Sequence, residues 1–167
     1  MSYFEQFLTA NKAYVESHGT KHLPVHPKTR VAIVACMDSR LHVAPALGLA
    51  LGDAHIIRNA GGRVTDDVIR SLTISEQQLG TTEIVVLHHT DCGAQKFHND
   101  AFYAQLKNDL GVDASHIDFL PFEDPAASVL EDIEKLKASP LIPDDFVISG
   151  GVYDVDTGLI TPVVKDA

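Results

Sequence analysis

"VAIVACMDSR", residues 31–40, decides the fold. Val31 to Ala35 are all β-branched or small, with no polar residue between them. A strand with one wet face alternates apolar and polar residues, whereas an unbroken run suits a strand buried on both faces of a parallel sheet. The run ends abruptly in Cys36, Asp38 and Arg40. On an extended chain these alternate positions share one side, so a thiol, a carboxylate and a guanidinium come within reach of one site.

The same pattern recurs. "TEIVVLHHT", residues 82–90, is another continuous apolar run that ends in polar residues, and "DAHIIRNAGG", residues 53–62, reads as a short strand closing on two glycines. Helical segments separate them. Thr65 caps one, Asp66 and Asp67 favour its positive end, and Gly80 stops it, with Val68, Ile69, Leu72 and Leu79 as the buried stripe. A second helix is expected over 100–110. A third opens at Asp124-Pro125, with Ala126, Val129, Leu130, Ile133 and Leu136 on one side. Residues 145–164 read as a strand and a hairpin, with Asp156-Thr157-Gly158 in the turn. At the start, Phe4, Phe7, Leu8 and Val15 predict a helix from Ser2 to about His18, stopped by Gly19, and "TKHLPVHPK" (20–28) predicts an extended linker. The expected fold is α/β: one domain over 1–167, a mainly parallel central sheet flanked by helices, with 1–28 as helical arm and linker.

Composition narrows the function classes. The chain carries 23 acidic against 13 basic residues, which argues against a nucleic-acid backbone as partner. No apolar run approaches the roughly 20 residues needed to span a bilayer, and "MSYFEQFLTANK" lacks the basic start and apolar core of a secretory signal. With only two cysteines, a reducing, cytoplasmic setting is expected rather than a disulfide scaffold. Most of the nine histidines need no special role, and His18, His22, His55, His98 and His116 read as solvated.

In a parallel sheet, ligands bind beyond the carboxyl ends of the strands. If the runs ending at Cys36 and at "HHTDCG" (88–93) are neighbours, Cys36, His89 and Cys92 converge. Two thiolates and one imidazole suit zinc, and three protein ligands leave the fourth position open, as catalytic sites do. His88 should point to the opposite face from His89. A non-catalytic zinc or redox module is the competing class; it would close the metal site or join the two cysteines, and would need neither Asp38 nor Arg40.

The combination of C-x-D-x-R, R-N-A-G and H-x-x-C-G resembles the β-class carbonic anhydrases, and the likeness runs from the N-terminal helix to "GVYDVDTG". The resemblance implies Zn2+ held by Cys36, His89 and Cys92, with Asp38 and Arg40 as the family's catalytic Asp–Arg pair. The reaction it implies is attack of zinc hydroxide on a linear, CO2-like gas, because zinc lowers the pKa of bound water to about 7. Asp38 would accept the hydroxide's hydrogen bond, and Arg40 would keep Asp38 ionised. The resemblance also implies a homodimer, or a higher oligomer built from dimers, with the aromatic N-terminal arm over its partner. The chain departs from the common pattern at His88 and Thr90-Asp91, at His26 before Pro27-Lys28, and at Gly62 after R-N-A-G. These changes leave the zinc set untouched but bear on substrate and proton movement, where His26 or His88 could serve as shuttle. They tilt the expectation slightly to carbonyl sulfide, with CO2 hydration the alternative and carbon disulfide a further family substrate.

Overall fold

A computed structural model describes residues 2–19 and 22–165. Thr20 and Lys21, which open the expected linker, lie outside the described residues, as do Met1, Asp166 and Ala167 at the ends of the expected domain. Five strands form one sheet: β1 Val31–Cys36, β2 Ala54–Asn59, β3 Glu83–His89, β4 Val147–Tyr153 and β5 Ile160–Val164, in spatial order β2-β1-β3-β4-β5. The first four are mutually parallel and β5 runs antiparallel to β4. The helices are α1 Tyr3–His18, α2 Val43–Ala46, α3 Asp66–Gln77, α4 Asn99–Leu110 and α5 Pro125–Lys137.

The unbroken run of β1 is explained by its two partners. Ala32 and Val34 join a core with Val68 and Leu72 of α3 and Val129, Ile133 and Leu136 of α5. Ile33 and Ala35 face the other way, into a second core with Leu41, Val43, Leu87 and Phe122. Each fully buried Val or Ile on this strand is worth roughly 1.5–3 kcal/mol. Gly150 on β4 lets α5 lie close, since a Cβ there would stand 2.5 Å from Val129 Cγ1 and 2.9 Å from Ile133 Cδ1.

Helix starts follow the expected caps. Thr65 accepts from Val68 N, and Asp124 from Ala126 N. One expected core position is corrected: Leu130 is exposed, while Ser128 and Asp132 are buried. The buried stripe of α5 is rotated because its polar residues satisfy polar groups beneath it. His55 likewise is half-buried rather than solvated, with Nδ1 2.6 Å from Ser75 Oγ. The closing hairpin turns at Asp154, whose Oδ1 accepts from Asp156 N and Thr157 N.

Helix α1 stands apart. It has a capping box, in which Ser2 Oγ accepts from Glu5 N and Ser2 N donates to Glu5 Oε2, yet none of its residues is buried. Tyr3, Phe4 and Phe7 are 63–75% exposed.

Candidate metal centre

Strand order reverses at β1, with β2 on one side and β3 on the other, so the carboxyl ends of β1 and β3 form a topological switch point. Cys36 is the last residue of β1 and His89 the last of β3, and Cys92 follows one turn later. The three are buried, and their ligand atoms all lie within 4.8 Å of one another. The Cys36 and Cys92 sulfurs are 3.9 Å apart, two free thiols rather than a disulfide.

The donors fit a metal. His89 Nδ1 is 2.9 Å from the Thr90 carbonyl, which can only accept, so Nδ1 is the donor nitrogen and Nε2 is the one left for a metal. That Nε2 is buried without a hydrogen-bond partner. The Cys92 thiol, hydrogen-bonded to Cys36 Sγ, pulls the Cys36 pKa well below the thiol range against the opposing effect of burial, and Cys36 in turn pushes Cys92 up. A second thiolate would thus place two negative charges side by side in a dry site. A divalent cation resolves that repulsion and completes the bare imidazole.

Gly62 makes the site compact. At φ +71°, its missing Cβ would lie 2.8 Å from Cys36 N, 3.0 Å from Ala35 C and 3.2 Å from Leu87 O, so the turn Ala60–Gly62 rests directly on β1 and β3. Arg58 fastens the same edge, donating from Nε to Cys36 O and from Nη2 to Asp38 O.

Asp38 and Arg40 meet beside the sulfurs, though not by strand alternation. The strand ends at Cys36, and Asp38 folds the chain into an Asx turn in which Arg40 N donates to Asp38 Oδ1 at 2.9 Å. Arg40 then grips the carboxylate with Nε on Oδ1 at 3.0 Å and Nη2 on Oδ2 at 2.8 Å. These bonds hold the Asp38 carboxyl well below the usual range. Its Oδ2 stands 3.9 Å from His89 Nε2.

Beside this cluster opens a cleft of about 370 Å3, lined by Cys36, Asp38 and Cys92 and by the rings of Phe97, Phe102 and Phe119. Phe102 packs edge-on against Phe119 at 4.8 Å between centroids. Sequence reading misses these three rings, because they are dispersed over the segment before α4, α4 itself and the loop that returns after it.

His88 does point away, as strand geometry requires, and it is wholly buried. Its Nδ1 meets Ser128 Oγ, and its Nε2 faces Gly62 O at 3.2 Å and Asp132 Oδ2 at 3.1 Å. Asp132 also binds Arg63 Nε at 3.0 Å. His88 is thus sealed from solvent on the α5 side of the sheet. His26 binds the Leu79 carbonyl and is not among the residues lining the cleft.

Comparison with known proteins bears on the same features. A carbonic anhydrase family model matches residues 31–119, the segment that carries all five site residues. A crystal structure of carbonic anhydrase from Streptococcus mutans superimposes with a TM-score of 0.96 at 74% identity, covering 98% of this chain and 99% of that one. Beta-carbonic anhydrase 1 of Mycobacterium tuberculosis is 43% identical over 143 residues, 84% of this chain and 86% of its own length. Carbon disulfide hydrolase of Saccharolobus solfataricus is 41% identical over 152 residues, 77% of this chain and 74% of its own. With the fold, the paired thiols and the sequence all in agreement, the chain is an enzyme of the β-carbonic anhydrase family.

Proposed function

We propose that this chain catalyses the reversible hydration of CO2 to bicarbonate at a zinc ion held by Cys36, His89 and Cys92. The observation that carries the reading is the unpartnered His89 Nε2, buried between two free thiols and beside the Asp38 carboxylate. Zinc, when bound there, supplies a water acidified enough to act as nucleophile near neutral pH. The chain's own residues do the rest. Asp38, kept ionised by Arg40, is an acceptor only; it takes a hydrogen bond from the nucleophile and so orients its lone pair. The aromatic wall of Phe97, Phe102 and Phe119 offers an uncharged linear molecule an apolar surface and excludes competing water. Charged bicarbonate is less welcome against that wall, which favours its release.

The slight preference for carbonyl sulfide gives way here to CO2. What supports the change is the 74% identity to a carbonic anhydrase, against 41% to a carbon disulfide hydrolase. Hydrolysis of carbonyl sulfide or carbon disulfide remains the second reading, favoured by the apolar cleft and by those hydrolase relatives. Stopped-flow assay of zinc-loaded protein with each gas, reading proton and sulfide release, tests both. Turnover of CO2 well above buffer with little sulfide supports the proposal; sulfide release faster than CO2 hydration replaces it.

The proposed assembly is a homodimer. A 16-residue helix that buries no side chain of its own is marginal in water, so α1 needs a surface to cover, and its exposed Tyr3, Phe4 and Phe7 supply the apolar face. Light scattering should give at least twice the 18.1 kDa chain mass; a monomer at micromolar concentration would refute it. Among the described residues no helix is long and apolar enough to cross a membrane. The acidic composition and free thiols support a cytoplasmic setting.

A further inference from the structure

Arg40 does more than pair with Asp38. Its Nη1 donates to Asp91 Oδ2 at 2.9 Å and its Nη2 to the Asp91 carbonyl at 2.9 Å, so four N–H groups are divided between two acidic residues. Asp91 sits immediately before Cys92 with φ +51°, a left-handed conformation that Asp tolerates better than most residues. That conformation lets both its carbonyl and its carboxylate meet Arg40. Lys96 Nζ occupies the other Asp91 oxygen, leaving Oδ2 for the guanidinium.

The side chains of Arg40 and Asp91 are 43% and 55% exposed, and ion pairs this open contribute little to stability. Their effect is geometric. A long arginine held only by a carboxylate two residues away would swing with it, since both belong to one short turn. Asp91, at the end of a different strand, supplies a fixed second edge for the planar guanidinium. We propose that Asp91 is a positioning residue: by clamping the far edge of Arg40, it sets the plane of the Asp38 carboxylate relative to the site formed by Cys36, His89 and Cys92. The inference rests on the role given to Asp38 above.

Asp91→Ala, Asp91→Gly and Asp91→Asn test it in zinc-loaded protein. Glycine removes the carboxylate without backbone strain at this φ, so it separates the clamp from the turn. The alanine and glycine variants should keep zinc and KM and lose about tenfold in kcat, as misorientation of a group acting in the transition state predicts. The asparagine amide oxygen can still accept from Nη1, so Asp91→Asn should return kcat to within about threefold of the parent. Independently of activity, hydrogen exchange at the Arg40 Nε–H, read by NMR, should accelerate in the alanine and glycine variants and not in Asp91→Asn. Parental kcat in Asp91→Gly, loss of zinc in either truncation, or equal damage in all three would overturn the proposal. If the parent fails to hydrate CO2, the functional reading falls, while the Arg40 exchange rates still decide whether the clamp exists.

Discussion

Replacing Gly62 by alanine should damage stability and metal binding together. The new Cβ meets backbone alone: Cys36 N at 2.8 Å, Ala35 C at 3.0 Å and Leu87 O at 3.2 Å. No side chain can rotate out of the way. Holding alanine at φ +71° costs about 1 kcal/mol, and forcing apart packed backbone adds about 2 kcal/mol more. For a domain of this size, about 3 kcal/mol corresponds to a fall in Tm of about 6–12 °C. Gly48 is the control, because its φ is +67° and nothing lies within 4 Å of its would-be Cβ. Gly48→Ala therefore pays the conformational cost alone, about 2–4 °C. Thermal unfolding of the metal-free proteins gives the comparison, since bound metal would add its own stabilisation. A zinc titration should also show weaker binding for Gly62→Ala, whose displaced Cys36 amide belongs to a proposed ligand. If the two alanine variants melt together, the claim that the Ala60–Gly62 turn bears directly on the ligand strands is wrong.

Three further outcomes follow from the same geometry. Cys92→Ser should reduce bound zinc, measured by elemental analysis, from about one per chain to a small fraction, because a neutral hydroxyl replaces a thiolate; full zinc content would remove Cys92 from the ligand set. Asp132→Ala should cost about 3 kcal/mol in urea unfolding, because it removes the buried carboxylate that meets both Arg63 Nε and His88 Nε2, whereas Glu131→Gln, on a carboxylate 65% exposed, should cost under about 1 kcal/mol. Asp38 has a lowered folded pKa, so its ion pair stabilises fully above the ordinary carboxylate range and is lost as pH falls toward the folded value. The stability gap between the metal-free parent and Asp38→Asn should thus stay constant above about pH 5 and narrow below it; a gap that widens in acid would contradict the pairing.

The sequence made β1 and β3 legible because strands covered on both faces cannot alternate, and both end in residues of types that can ligate a metal. It did not reveal their adjacency, which depends on sheet order; the family resemblance supplied that link. Asp38 and Arg40 were found, but for an incomplete reason. Strand periodicity stops at Cys36, and a side-chain-capped turn, invisible to a period-two reading, brings them together. Leu130 was misplaced because an apolar stripe was drawn through α5 without its polar duties toward His88 and Arg63. Phe97, Phe102 and Phe119 escaped because no single element carries them. They become one wall only when the loop after α4 returns to the helix.

Adjacent histidines at the end of β3 pose a problem of register. A slip of one residue on a strand exchanges its two faces, which here would turn His88 toward the thiols and His89 toward α5. Both rings could ligate a metal, so metal chemistry alone does not choose between them. The choice is made behind the sheet, where Ser128, Asp132 and the Gly62 carbonyl together meet both nitrogens of His88. The Ser128–His88–Asp132 chain holds the three residue types of a hydrolytic triad but with the ring nitrogens exchanged, Ser128 on Nδ1 and Asp132 on Nε2, and its members are 0–2% exposed, so no substrate reaches them. In place of catalysis it fixes position, since a slipped strand would leave Ser128 and Asp132 without the His88 ring they meet. The same Gly62 whose carbonyl faces His88 also packs on the Cys36 amide, so the register of β3 and the position of Cys36 are both tied to one turn. A site with one bare imidazole nitrogen therefore depends on a second imidazole that is fully occupied.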